Sequence, residues 1–218
     1  DLSSIGRAQF EIPQLNYIAA GGFVKWIADA DLAKGGDHVN FSLASLGEPI
    51  ALYSRTKSLV DKREISITTL GESEGRLPDG STQITKFPST STPGKSNYLP
   101  LENVVINEVL THTDPPFEDA IELRNISANM VNIGNWWISN SETNLKKFQI
   151  SPSTTLSARG MAVFYEGQFN PAPGAAHSFA LNSAHGDKII LSKADGSGKL
   201  TGHRAIVEFG AAQNAIPL

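Results

Sequence analysis

Apolar and polar residues alternate in short stretches along most of the chain. "NVVINEV" (103–109), "DAIELRN" (119–125), "MAVFYE" (161–166), "DKIILSK" (187–193) and "RAIVEFG" (204–210) are runs of β-formers closed by turn residues. Between them stand "AAGG", "LPDGS", "HGD" and "ADGSG", whose glycines suit turns that need a positive φ. "ADGSG", between Leu191 and Leu200, predicts a hairpin. No helical period extends beyond two turns; "ADADLAKGG" predicts at most one helical turn inside a loop. Short strands at intervals of about 8–12 residues predict an all-β antiparallel sandwich. Strict alternation makes two further assignments. Glu108 shares a face with Val104, Ile106 and Leu110, a carboxylate in apolar company. In "IGNWWISNS" (133–141), Trp136 and Ile138 share one face, while Ile133, Asn135 and Trp137 share the other.

The pattern also repeats. Phe10, Ile12, Ile18 and Gly22 match Phe148, Ile150, Leu156 and Gly160. "HVNFSLASLGEPIAL" from His38 aligns with "HSFALNSAHGDKIIL" from His177 after a one-residue shift. "LVDKREI" near Leu59 aligns with "LTGHRAI" near Leu200. Residues 101–138 have no counterpart in the first copy, and residues 75–97 have none in the second. The expectation is a piece of a longer tandem array. It has one module over 1–98 that lacks its opening strands and one over 101–218 that lacks its closing segment. The Pro/Ser/Thr-rich run 88–100 joins them as a linker. A sandwich lacking strands exposes edges. Residues 1–98 are therefore expected to be completed by strands exchanged from another chain, or by the 101–138 segment.

Composition narrows the function classes. Apolar residues make up 40% of the 218, enough to bury a core. The net charge is −4 with no basic stripe, so a nucleic-acid partner is not expected. No apolar run reaches the roughly 20 residues of a membrane span. With no cysteine, disulfides, thiolate metal sites and a Cys nucleophile are excluded together.

Several of these segments in order resemble a known family. Asn107-Glu108 lies early in a strand. Asp119 stands before Ile121, Glu122, Leu123 and Asn125. Gly134-Asn135-Trp136 follows, and then "FQI" from Phe148. The first copy carries the closing pattern, with "GRLPDGS" at 75–81, Phe87 and residues 92–97. Together they resemble the lamin tail domain, and the resemblance covers nearly the whole chain. It implies an immunoglobulin-like antiparallel β-sandwich, here in tandem. It also implies that Trp136 is the buried tryptophan, since the family keeps an aromatic there. Trp136, Phe148, Phe10, Ile121, Leu123 and Glu108 are the expected structural core. Glu108 would be hydrogen-bonded within it.

The candidate chemistry is sparse. Trp137 and Asn135 face outward in this reading, either as a binding platform for protein or sugar or as a ring covered by a loop. Asp29, Asp31 and Asp37, with His38, set oxygen ligands at the spacing Ca²⁺ accepts. The twelve-residue calcium pattern is not met, and a solvated loop is the alternative. His112, Asp114, Glu118 and Asp119 cluster in "HTDPPFED", where Asp-Pro-Pro also makes an ordinary turn. His38 and His177 recur in both copies, as hydrogen-bonded structural histidines would. No nucleophile elbow, phosphate-cradling loop or His-Glu-x-x-His occurs. The expectation is a non-enzymatic structural or interaction module, without a cofactor, of a larger bacterial-type extracellular or cell-surface protein. It would bind protein or a cell-surface polymer. The alternatives are a carbohydrate-binding module using Trp137 and a fragment of an extracellular hydrolase.

Overall fold

The computed structural model describes residues 9–14, 16–66 and 69–211. They divide into two compact units. The first holds the residues up to Arg76 and Ser81–Asn97; the second holds Leu77–Gly80 and the residues from Tyr98 onward. The four residues 77–80 thus pack with the second unit although they lie inside the 1–98 stretch.

The second unit is a β-sandwich. Ten strands build it: β5 (Leu99–Pro100), β6 (Val104–Leu110), β7 (Ala120–Asn125), β8 (Val131–Asn132), β9 (Trp137–Ser139), β10 (Phe148–Gln149), β11 (Thr155–Leu156), β12 (Met161–Tyr165), β13 (Asp187–Ala194) and β14 (Leu200–Phe209). One sheet runs β10-β9-β13-β14-β5 and another β12-β7-β6, with a ribbon of β11 and β8. All neighbours are antiparallel except β5 and β14. The shared core takes Val104, Ile106 and Val109 from β6, Ile121 and Leu123 from β7, and Phe164 from β12. From the other sheet come Ile138, Ile189 and Leu191. β7 shows the alternation most plainly: Ile121, Leu123 and Asn125 are buried, while Arg124 is exposed. The central strand β13 is buried on both faces from Ile189 to Ser192.

Strict alternation fails at two places, each for a local reason. A β-bulge between Ile106 and Glu108 inserts an extra residue opposite β7. The phase shifts, Val109 turns into the core and Glu108 is exposed. Glu108 is therefore not a core carboxylate. The second place is Gly134-Asn135, which forms a turn before β9 begins, with Asn135 at φ 66°. The turn resets the count, so Ile133 joins Trp136 and Ile138 in the core instead of facing outward with Trp137. One α-helical turn, α1 (Glu166–Phe169), follows β12 and buries Phe169.

The first unit is sparer. β1 (Pro49–Tyr53) and β2 (Leu59–Glu64) form a hairpin, and β3 (Ser73–Arg76) pairs with β4 (Ile84–Phe87). The Arg76 guanidinium donates to both oxygens of Asp61 at 2.9 and 3.0 Å, and Arg63 pairs with Glu74. The expected helical turn is a 3-10 turn at Leu32–Lys34. Among its described residues only Val39 and Phe87 are fully buried hydrophobics. Phe10, expected in a core, lies half-buried in a bend, whereas its match Phe148 is in β10 and packs against the core of the second unit. The matched backbones nevertheless share features. The Gly22 amide donates to Ala19 O at 2.8 Å and the Gly160 amide to Ser157 O at 2.9 Å. Gly47 and Gly186, at φ 87° and 81°, precede the β1–β2 and β13–β14 hairpins.

Candidate interaction surface around Trp137

The two adjacent tryptophans part at the turn before β9. A Cβ on Gly134 would sit 2.0 Å from the carbonyl oxygen of Pro152, so only glycine lets the two backbones approach this closely. The Asn135 amide donates to Ile150 O at 3.0 Å, and the Ile150 amide donates to Trp136 O at 2.8 Å. This clamp drives Trp136 inward, where it is 3% exposed.

Trp137 goes the other way and meets the β13–β14 hairpin. Its indole Nε1–H donates to Gly198 O at 2.9 Å, and Asn135 Nδ2 donates to Gly196 O at 3.2 Å. The Lys146 ammonium lies 5.6 Å from the ring centroid. The hairpin is held in turn by Asp195. One of its carboxylate oxygens accepts from the Ser197 amide at 2.9 Å, the Ser197 hydroxyl at 2.7 Å and the Lys199 amide at 3.0 Å. The Ser197 hydroxyl, then the Lys199 amide, hold this carboxyl below the ordinary range. Trp137 is half-buried. A sugar platform needs an open aromatic face and free polar groups beside it; here a lysine lies over the ring and the indole N–H is engaged. The arrangement fastens the hairpin to β9.

The remaining candidates are occupied by structural work. Asp29 accepts from Lys34 Nζ at 2.8 Å and pairs with His38 Nδ1 at 2.9 Å. Lys34, then His38, hold the Asp29 carboxyl well below the usual range. Asp31 caps the 3-10 turn by accepting from the Ala33 amide at 3.1 Å, and Asp37 stands 4.0 Å from His38 Nε2. The Lys34 ammonium thus pairs with both Asp29 and, at 3.7 Å, Asp31. Among the described residues no three His, Asp or Glu side chains converge on a common point. In "HTDPPFED", Asp119 is buried and accepts from the Thr113 amide at 3.2 Å and the Thr113 hydroxyl at 2.9 Å, closing the β6–β7 loop. Exposed Glu108 stands opposite Glu122, which accepts from Asn107 Nδ2 at 2.6 Å. The two histidines differ in their partners: His38 meets Asp29, and His177 Nδ1 lies 3.1 Å from Lys146 O.

Two buried polar groups received no structural role from the sequence. Asn125, fully buried, donates from Nδ2 to Asn129 O at 2.7 Å and Ser157 O at 2.8 Å, and its Oδ1 accepts from the Ser127 amide and hydroxyl. Its place after "IELR" is the only sequence signal for it. Arg204 is buried with its guanidinium carbon 5.5 Å from the Tyr98 ring centroid, and burial lowers its pKa from the ordinary arginine value. It opens the run "RAIVEF" in β14.

Comparison with known proteins gives one match. The family model described as Lamin Tail Domain covers residues 100–203. No curated protein and no solved structure matches. Members of that family are immunoglobulin-like domains that generally serve as interaction modules and are not known as catalysts. The matched stretch contains β6 to β13, the glycine turn that separates the two tryptophans, and the core they bound. Residues 100–203 of this chain therefore belong to the lamin tail domain family.

Proposed function

We propose that the chain is a non-catalytic interaction module of a larger secreted or cell-surface protein, and that its partner is another protein. The observation that carries this reading is the exposure of apolar side chains in rows along strands. The first unit leaves Ile50, Leu52, Leu59 and Val60 exposed along one hairpin, and the second leaves Met161, Val163 and Tyr165 exposed along β12. A run of uncovered apolar residues on a folded element is the usual mark of a protein contact. The family match supports the non-catalytic part. So does the use of Asp29, Asp119 and Asp195 as partners of ammonium, hydroxyl and amide groups within their own loops.

Two measurements test it. The purified chain is assayed on a panel of esterase, glycosidase, phosphatase and peptidase substrates; no turnover is expected, and turnover that survives repurification overturns the non-catalytic reading. An antibody against residues 100–203 is applied to intact cells of the source organism and to the culture supernatant. Signal in either is expected, and signal confined to lysed cells overturns the placement.

A further inference from the structure

Of the four strands at the edges of the second unit's two larger sheets, three are blunted. β5 and β10 are two residues long, the first ending on Pro100 and the second preceded by Lys146-Lys147. β6 carries a bulge, with Asn107 and Glu108 exposed beside it. Shortness, proline, charge and bulges are the ordinary devices that keep a sheet from pairing with another chain. β12 has none of them. Its five residues, MAVFY, hold no charge, proline or glycine, and they pair with β7 in unbroken register. Among the described residues β7 is the only strand that β12 meets. The Asn125 amide donates to Gly160 O, and the Glu166 amide donates to Asp119 O. That phase turns the main chain of residues 160, 162, 164 and 166 toward β7, and that of 161, 163 and 165 toward the open side. The Tyr165 amide is taken there, donating to Gln168 Oε1 at 2.9 Å. The amides of Met161 and Val163 have no such partner among the described residues.

From this edge we infer that β12 is a self-association site, where a second copy of this chain adds antiparallel and joins two β12-β7-β6 sheets into one. The inference rests on the interaction-module reading and specifies one contact of that module. The edge is its own complement. Met161, Val163 and Tyr165 project from the outer face, 57%, 39% and 52% exposed, while Phe164 is buried. With a two-fold axis through Val163, Val163 of one copy lies against Val163 of the other, and Met161 lies against Tyr165 on both sides. The Val163 amide then donates to the Val163 carbonyl across the axis, and the Met161 amide donates to the Tyr165 carbonyl. The one amide this register leaves over, that of Tyr165, is the one Gln168 already holds. Charge selects the same arrangement. Exposed Arg159 precedes the strand and half-buried Glu166 follows it. Antiparallel addition brings Arg159 of one copy toward Glu166 of the other at both ends, whereas parallel addition would bring like charges together. Five residues a side make a small interface, so the association belongs to the transient class, micromolar to millimolar.

The full chain is followed by sedimentation velocity and amide exchange from micromolar to millimolar concentration. The expected result is a reversible shift from the 23.3 kDa monomer to a dimer. Exchange at Met161 and Val163 should slow at least tenfold in the dimer, with β13 unchanged. Val163→Lys and Val163→Asp should each weaken association at least tenfold. Residue 163 lies on the outer face, so both variants should keep the parent's exchange in β7 and β13. An equimolar mixture of the two should associate at least tenfold better than either alone, because residue 163 meets itself across the axis. Leu52→Lys, in the first unit's hairpin, should leave association unchanged. If a variant loosens β7, the concentration dependence of exchange in the parent chain still decides. A chain that stays monomeric at every concentration overturns the proposal and leaves the edge to a partner of different sequence. Three other results also overturn it: association without protection at residues 161 and 163, association lost in Leu52→Lys but kept in Val163→Lys, and a mixture no stronger than its parts. None of these changes the substrate panel or the antibody result, so this inference and the interaction-module reading fail separately.

Discussion

Trp136 and Trp137 are neighbours in sequence, and the fold predicts very different costs for losing them. Trp136→Ala removes a large aromatic from the centre of the core beside Ile133 and Ile138. Cores rarely collapse around a hole of that size, so the expected loss is about 3–5 kcal/mol. Trp137→Ala removes one indole hydrogen bond to Gly198, about 1 kcal/mol. It also removes the contact with the Lys146 ammonium, about 0.5–1 kcal/mol at a partly exposed site. The ring is half-buried, so little cavity follows, and the sum is about 2 kcal/mol. The difference of about 2 kcal/mol corresponds to roughly 30-fold in the opening equilibrium. A chain of two units need not unfold in one transition. The assay is therefore amide exchange in β7 and β13, which reports opening of the second unit alone. Equal losses for the two variants, or a larger loss for Trp137→Ala, would refute the argument that the Gly134 turn sends one ring inward and the other under the hairpin.

Four other outcomes follow from single contacts. Gly134→Ala places a methyl group against the Pro152 carbonyl and should cost about 1–3 kcal/mol in the same exchange assay, whereas Gly196→Ala, with open space around it, should fall within about 0.5 kcal/mol of the parent. Asn125→Ala removes the buried Nδ2 donor shared by the carbonyls of Asn129, Leu156 and Ser157, together with the acceptor of the Ser127 amide, and should cost about 1–3 kcal/mol; Asn125→Asp should not rescue the donor side, because a carboxylate cannot donate. Ser192 has a buried hydroxyl without a hydrogen bond, so Ser192→Ala should leave thermal stability unchanged or raise it slightly; a marked loss would show a partner for that oxygen. Asp195 titrates below the ordinary carboxylate value in the folded chain, so its contribution is present above the unfolded pKa near about 3.9 and is lost as pH falls through the folded value. Amide exchange at Ser197 and Lys199 should accelerate over that acid range in the parent and show no such step in Asp195→Ala.

Much of the strand content was legible because β-sheet periodicity is local. In β7 and β13 a run of six to eight residues carries both the face assignment and the bounding turn signals. Glu108 was misplaced for the same reason. Counting by two assumes an unbroken strand, and a bulge is set by how β6 meets β7, not by β6 alone. Ile133 repeats the lesson, since the turn at Gly134 depends on Pro152, eighteen residues further along the chain. The candidate site was legible only in part. The sequence distinguished one inward and one outward tryptophan. It could not show that the outward ring is capped by Gly198, because that contact spans 61 residues. For the aspartates near residue 30 the sequence shows oxygen donors at suitable intervals. Which cation they meet depends on the path of the loop, which brings the Lys34 ammonium to Asp29.

The sequence by itself therefore determined the all-β class and the lamin-tail pattern of residues 100–203. These rest on side-chain alternation and turn chemistry within a few residues. Only the tertiary structure decided which apolar residues find cover. Ile50 and Ile189 sit in nearly the same local sequence, yet one is exposed and the other fully buried. Burial depends on what another segment brings to the opposite face, as β9 brings Ile138 to Leu191 beside Ile189.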